Sequence, residues 1–305
     1  MTSPVAWVPS LATIRHVSFL QALVLALVQG VTELFPISSL GHSVLIPPLL
    51  HWSFDESDPT FLPFLVLLHL GTAIALLILY WREWVTIVRA FVRAALRGRI
   101  ENTDERLALL LVAATVPAGI VGVLLQTYLQ KLFASPVPTS IFLFCNGVIL
   151  LGAEMLRRRA ERRARVAGES RREQEAHFRP LEELPLGWAL AIGCCQVVAL
   201  VPGFSRSGVT MAGGLLANLK HTEAARFAFL LATPIILAAA LVEIPELFHK
   251  GVPLGTYAIA AVVTGVAAYL SARFLLRYFT SGRLDPYGWY CMAAGVAAFL
   301  FFTIR

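Results

Sequence analysis

The chain alternates between long apolar runs and short polar strings. Six runs are close to the length of about 20 apolar residues that a helix needs to cross a bilayer. They are residues 62–81, 107–126, 139–156, 225–247, 254–276 and 287–304. Because a helix satisfies its own backbone hydrogen bonds in lipid, the pattern predicts an all-α polytopic membrane protein. We expect residues 1–305 to form a single integral membrane domain.

Two further apolar segments, 17–50 and 187–217, are broken at their centres by proline and glycine. The first contains the polar string Gln29–His42 and the second contains the string Pro202–Thr210. Each segment is predicted to be a re-entrant helix-loop-helix hairpin, because entry and return on one side preserve the alternation of basic loops across the membrane. Ionisable side chains at membrane depth are costly and indicate function, so both strings are candidate site segments.

Composition supports a membrane protein, since 57% of the residues are hydrophobic and 14% are charged, against about 25% charged residues in soluble domains. The net charge of +6 comes largely from arginines in two connections between spans, residues 82–106 and 157–179. Basic connections mark the cytoplasmic side of a membrane protein. We therefore expect membrane lipids, and no nucleic acid, among the partners.

The two halves of the chain contain an internal repeat. The string around Gln29 recurs around Gln196, with proline and serine at matching positions. Each half has three spans, an odd number, so the halves are predicted to be inverted-topology repeats. We assign residues 17–156 to the first repeat, 157–186 to a basic cytoplasmic linker and 187–305 to the second repeat. Both hairpin tips are then expected to meet inside the membrane.

The first string offers reactive groups. Gln29 and Glu33 are four residues apart, on one helical face, and are predicted to hold a divalent cation, Mg²⁺ or Ca²⁺, beside substrate phosphates. Ser38 stands at a predicted helix N-terminus, where free N–H groups attract anions. Ser39 is followed three residues later by His42, a base that would activate its hydroxyl. The structural alternative is a hydrogen-bonded acid, a helix cap and an interior histidine.

The second string has the composition of a phosphate-binding loop, which we call the phosphate cradle. It contains glycines, hydroxyl side chains and the planar guanidinium of Arg206. An ion pair between Arg206 and Glu33 is a compatible structural alternative. The predicted phosphate-binding residues are Ser38, Gly203, Ser205, Arg206, Ser207 and Thr210.

Together the two strings resemble the motifs of the bacterial undecaprenyl-diphosphate phosphatase family, and the resemblance extends from about residue 17 onward. It implies hydrolysis of undecaprenyl diphosphate to the monophosphate carrier lipid of cell-wall synthesis, with bacitracin tolerance. It also implies that the catalytic residues are Glu33, Ser39, His42 and Arg206. This chain has Gln29 at a position where the family has Glu or Gln, which weakens a metal site with two carboxylates.

The sequence leaves several alternatives open. The attacking group is Ser39, His42 or water, and the rival function is a polyprenyl-phosphate transporter or flippase on the same inverted-repeat scaffold. The resemblance implies the bacterial cytoplasmic (inner) membrane, with the site open to the periplasmic side. A homodimer is also left open.

Overall fold

The structure is a computed structural model that describes residues 17–52, 60–132, 135–170, 173, 177–249 and 253–304, with the backbone alone at 126–132 and 246–249. Within these residues the chain forms α-helices and one short 3₁₀-helix, at Leu181–Glu183. The helices are α1 (Phe19–Thr32), α2 (Ser39–Leu49), α3 (Phe61–Leu79), α4 (Trp81–Arg97), α5 (Thr103–Leu132), α6 (Pro136–Val166), α7 (Leu186–Val198), α8 (Arg206–Leu216), α9 (His221–His249), α10 (Leu254–Tyr278) and α11 (Asp285–Ile304).

All six predicted spans are confirmed as helices that are long and apolar enough to cross a membrane, namely α3, α5, α6, α9, α10 and α11. The protein is therefore a multi-pass membrane protein that is all-helical within the residues described. The largest difference in bounds is at α6, which continues through the arginine-rich residues 157–166. This stretch consists mostly of arginine and alanine, which favour a helix, so the start of the predicted linker continues α6.

The connection at 82–106, predicted only as a basic loop, contains the amphipathic helix α4. Apolar side chains such as Val85 and Val88 lie on one face, and a row of arginines borders that face. The helix ends at Gly98, whose φ of 68° is the left-handed conformation that glycine adopts at helix C-termini. The sequence pattern indicated only a basic loop here, because the many charged residues obscure the helical period of the apolar positions.

Close helix packing depends on small residues. The helix α6 lies against α11 at Gly147, where an added Cβ would lie 2.5 Å from the carbonyl oxygen of Gly288. Glycine allows the same close contact between α3 and α10 at Gly71, and between α7 and α5 at Gly193. Small residues let membrane helices approach until their backbones are in contact.

We expect Gly147→Ala to lower the thermal unfolding temperature of the detergent-solubilised protein. The new methyl group would overpack the contact between α6 and α11, at a cost of about 1–3 kcal/mol. The matched control is Gly152→Ala in the same helix, where an added Cβ meets nothing within 4 Å. Because alanine is the better helix former, this control should gain about 0.5–1 kcal/mol. Equal shifts for both variants would contradict the packing argument.

Candidate active site

The two polar strings meet in the folded chain. The hydroxyl of Ser38 accepts a hydrogen bond from the backbone N–H of Gly203, at 3.2 Å. The side chain of Asn146, on α6, donates to the carbonyl oxygen of Pro36 at 3.0 Å and accepts from the N–H of Ser205 at 3.0 Å. These contacts hold the loop between α1 and α2 against the loop between α7 and α8, so the strings form one site.

Each loop ends in a helix N-terminus that a serine caps. Ser38 caps α2 with a φ of 68°, and Ser205 caps α8 by accepting from the N–H of Gly208. Gly203 has a φ of 107°, and an added Cβ there would lie 2.4 Å from the carbonyl oxygen of Thr139. Only glycine fits this combination of positive φ and close approach.

Glu33 is the centre of the site, and the residue is only 8% exposed. Arg206 donates to its Oε1 and the hydroxyl of Ser39 donates to its Oε2. The amide of Gln29 donates to Oε2 at 3.0 Å, and Nε2 of His69 lies 3.1 Å from the same oxygen. The ion pair between Arg206 and Glu33, which the sequence left open as a structural alternative, is thus present, with the Ser39 hydroxyl beside it.

The polar cluster closes one end of a cavity of about 250 Å³. Glu33, Ser39, His69, Ser205 and Arg206 all line this cavity. Its other walls come largely from apolar residues of α3, α5 and α9, among them Leu62, Leu65, Val66, Gly122, Ile235 and Val242. An anionic group at the polar end could therefore carry a hydrocarbon tail along the apolar walls.

The predicted phosphate-binding residues divide into two groups. Ser38, Ser205 and Arg206 line the cavity. Ser207 instead lies within the loop contact, with its hydroxyl 3.2 Å from the carbonyl oxygens of Glu33 and of Phe35. Gly203 and Thr210 are not among the lining residues, and the buried Thr210 hydroxyl has no hydrogen-bond partner among the described residues.

The structure does not place the imidazole of His42 in hydrogen-bond contact with the Ser39 hydroxyl. Nδ1 of His42 lies 2.7 Å from the carbonyl oxygen of Ser38, and Nε2 lies 2.7 Å from the hydroxyl of Tyr290 on α11. The imidazole turns back along its own helix to the carbonyl four residues earlier and stacks on Tyr290. The acceptor beside Ser39 is the carboxylate of Glu33.

His69, like the buried Glu243, lines the cavity and was not singled out from the sequence pattern. Its Nδ1 lies 2.7 Å from the carbonyl oxygen of Leu65 and its Nε2 faces Glu33. Both ring nitrogens of His69 therefore have hydrogen-bond partners, and one of these partners is the central carboxylate. A lone histidine inside the apolar run of α3 was the available signal, because ionisable groups at membrane depth are rare.

Gln29 and Glu33 do not present the pair of oxygens that the predicted metal site requires. Gln29 points its amide nitrogen at Glu33, and its Oε1 has no hydrogen-bond partner among the described residues. Within the same part of the chain, no group of three or more His, Cys, Asp or Glu residues is arranged to hold a metal ion. The cationic group beside Glu33 is instead the guanidinium of Arg206.

The fold and the site together define a class: a polytopic helical membrane protein with an arginine, a serine and a carboxylate at the polar end of an apolar cavity. The profile of one family, described as bacitracin resistance protein BacA, matches residues 22–297. The chain belongs to this family.

Curated relatives match over almost their whole length. An undecaprenyl-diphosphatase 2 of Chromobacterium violaceum is 45% identical over 288 residues, covering 92% of this chain and 98% of the relative. An undecaprenyl-diphosphatase of Mycolicibacterium paratuberculosis is 44% identical over 302 residues, covering 95% and 99%. A third, from Granulibacter bethesdensis, is 44% identical over 291 residues, covering 93% and 97%.

Proposed function

We propose that this protein hydrolyses undecaprenyl diphosphate to undecaprenyl phosphate and inorganic phosphate. This activity recycles the carrier lipid of cell-wall synthesis and gives tolerance to bacitracin. The observation that carries the proposal is the contact of the Ser39 hydroxyl with Glu33, and of Glu33 with Arg206, at the polar end of an apolar cavity. The names of the curated relatives support the same reaction.

In the proposed reaction, the Ser39 oxygen attacks the terminal phosphorus and its proton passes to Glu33. The bond between that phosphorus and the bridging oxygen breaks, and the lipid monophosphate leaves. Water then cleaves the phosphoserine and releases phosphate. Ser39 is favoured over His42 as the nucleophile because it lines the cavity, whereas both ring nitrogens of His42 have other partners. Activation of a serine by an adjacent base is the usual requirement for such an attack.

Arg206 is proposed to bind the terminal phosphoryl group. In the structure its guanidinium is shared between Glu33 and the carbonyl oxygen of Ala232. On substrate binding it would move to the phosphate oxygens, which both stabilises their charge and frees Glu33 to accept a proton. The N-terminus of α8, which begins at Arg206, supplies backbone N–H groups beside it. Ser38, Gly203, Ser205, Ser207 and Thr210 complete the predicted cradle, directly or by holding the loops.

The requirement for a divalent cation, Mg²⁺ or Ca²⁺, stays a prediction. The arrangement of Gln29 and Glu33 in the structure does not support it. We therefore assign no step to a metal ion. Phosphate release measured with a chelator, and again after Mg²⁺ or Ca²⁺ is restored, tests the requirement. Unchanged release in the chelator would remove the cation from the proposal.

We also propose that the two halves are inverted repeats with re-entrant hairpins. At a rise of about 1.5 Å per residue, the 14 residues of α1 extend about 21 Å, short of a hydrocarbon core of about 30 Å. The packing of α1 on α10 has a counterpart in the packing of α7 on α5, as a repeat requires. Cysteine labelling from each side of sealed vesicles tests whether the linker is cytoplasmic and whether the cavity opens to the periplasmic side. Measurement of the particle size in detergent tests whether the protein is a homodimer.

Phosphate release from a purified polyprenyl diphosphate tests the reaction itself. Wild-type protein in detergent should release phosphate, and Arg206→Ala should release about 10²- to 10³-fold less, because one preorganised contact to the transition-state charge is worth this much. Full activity in Arg206→Ala would contradict the assigned site. No release by wild type would favour the transporter alternative, which no observation on the described residues supports.

Replacement of His69 is expected to affect catalysis more than replacement of His42. His69→Gln should lower kcat about tenfold or more, since it removes the imidazole contact to Glu33 that positions the proposed base. The matched control, His42→Gln, changes a histidine that faces Tyr290 and should stay within about threefold of wild type. A larger loss for His42→Gln would restore His42 as the base.

A further inference from the structure

Two glycines of α5, Gly119 and Gly122, line the cavity of the candidate active site. An added Cβ at Gly119 would lie 3.9 Å from Cδ1 of Ile235, on α9. An added Cβ at Gly122 would lie 3.9 Å from both Cδ atoms of Leu200, in the loop between α7 and α8. Ile235 and Leu200 line the same cavity, so side chains at these two positions of α5 would extend into it.

Helix packing does not explain these two glycines. At Gly147 and Gly193, an added Cβ would lie less than 3 Å from backbone atoms of a neighbouring helix, so only glycine permits the contact. At Gly119 and Gly122, a distance of 3.9 Å is an ordinary van der Waals contact, and alanine would fit without displacement of a described neighbour. Glycine in the middle of a helix is also destabilising relative to alanine. What the two glycines provide is therefore open space in the cavity.

The space left by the two glycines lies close to the polar end of the cavity. Arg206 donates to the carbonyl oxygen of Ala232, and Ile235 follows three residues later on α9. At a rise of about 1.5 Å per residue, this is a step of about 5 Å along the helix. In a lipid diphosphate, one further phosphate separates the terminal phosphoryl group from the chain. A diphosphate held by Arg206 would therefore bring the first isoprene units of its chain to Gly119.

The cavity has room for little more than this first part of a chain. Its volume of about 250 Å³ is below the range of roughly 300–1,000 Å³ that small-molecule sites occupy. The neighbouring lining residues Ala118 and Ala238 are small as well. A side chain of the size of leucine at either glycine would therefore fill a large part of the space that the chain needs.

We propose that Gly119 and Gly122 determine the specificity of the site for a lipid chain, an inference that rests on the proposed function. The isoprene units next to the diphosphate lie against these positions of α5 and face the side chains of Ile235 and Leu200. Apolar contact with the chain supplies affinity in proportion to the area that it buries. A site for the headgroup alone would not need this open space, and larger residues there would leave its affinity unchanged.

Binding of undecaprenyl phosphate to the detergent-solubilised protein, measured by native mass spectrometry, tests this proposal independently of turnover. Gly119→Leu and Gly122→Leu should each weaken binding at least about tenfold, since exclusion of two methyl or methylene groups from an apolar site costs about this factor. The matched control is Gly152→Leu, at a glycine of α6 that has open space around it and does not line the cavity. Its affinity should stay within about twofold of wild type. With a polyprenyl diphosphate as substrate, the leucine variants of α5 should show the loss in KM more than in kcat.

Alanine separates the proposal from a role of the two glycines in helix packing. Gly119→Ala should raise the thermal unfolding temperature, because alanine is the better helix former and meets no close neighbour at this position. A lower unfolding temperature, of the kind expected for Gly147→Ala, would overturn the proposal.

Two further results would also overturn it. Unchanged affinity for undecaprenyl phosphate in Gly119→Leu and Gly122→Leu would mean that the chain does not lie against α5. A loss in kcat at unchanged KM would mean that the substitutions disturb the polar end and not the path of the chain. If the expected losses of affinity occur but wild type releases no phosphate, the proposed function fails while the assigned position of the chain stands.

Discussion

Glu33→Gln is expected to reduce phosphate release by at least about 10³-fold, a loss of about 4 kcal/mol of transition-state stabilisation. The carboxylate accepts hydrogen bonds from the Ser39 hydroxyl and from Arg206. Its neutralisation therefore removes the proposed base and the contact that positions Arg206 for the phosphate. Single-turnover kinetics with a polyprenyl diphosphate measure the effect. Glutamine keeps the size and shape of the side chain but replaces one of the two accepting oxygens with an NH₂ donor, so the charge, the basicity and the hydrogen bonds at that position all change.

The same substitution should also destabilise the protein. Glu33→Gln leaves the guanidinium of Arg206 without its carboxylate in a site of low exposure, and breaking one partner of a buried pair costs about 3–5 kcal/mol. The double variant Glu33→Gln with Arg206→Gln removes both charges and should regain most of the thermal stability. Its activity should remain as low as that of either single variant, which separates the catalytic role from the structural one.

A second buried acid provides the matched control for Glu33. Glu154 on α6 is fully buried and accepts from His221 at 2.9 Å and from Arg283 at 2.7 Å. It does not line the candidate active-site cavity. Glu154→Gln should therefore lower the unfolding temperature while the folded protein keeps its kcat within about threefold. A large loss of kcat in this control would mean that the loss of any buried ion pair lowers turnover. The effect of Glu33→Gln would then not indicate a catalytic role for Glu33.

The fold could be predicted from the sequence where a strong local signal exists. Six apolar runs became six helices because length and hydropathy decide membrane insertion almost independently of packing. The prolines and glycines of the two strings likewise predicted breaks between α1 and α2 and between α7 and α8. The helix α4 was missed because its charge suggested a loop, although its apolar positions have a helical period.

The site was predictable to the level of residue types, and less so to the level of contacts. The approach of the second string to the first, and the ion pair of Arg206 with Glu33, followed from the repeat and from charge. The partner of Ser39 did not follow, because spacing along one helix cannot show that His42 turns toward Tyr290. Nor could spacing show that Asn146, distant in sequence from both strings, holds the two loops together.

Ser39→Ala is expected to abolish turnover, with a loss of at least about 10³-fold, because removal of a nucleophile leaves only the contribution of binding and charge. The neighbouring Ser38 is the matched control. Its hydroxyl caps α2 and accepts from the N–H of Gly203, so Ser38→Ala loses a cap worth about 1 kcal/mol and one contact between the loops. We expect Ser38→Ala to lower the unfolding temperature more than Ser39→Ala does, and to retain activity within about tenfold.

The identity of the attacking group is decided by the covalent intermediate. If Ser39 attacks, rapid quenching of wild type during turnover should trap one phosphoryl group on the peptide that contains residues 38 and 39, and fragmentation should place it on Ser39. The adduct should be absent in Ser39→Ala and present in Ser38→Ala. A phosphoryl group on His42 would assign the attack to that residue. If Ser39→Ala keeps full turnover and wild type forms no adduct, water is the nucleophile, and the Ser39 hydroxyl serves only to hold Glu33.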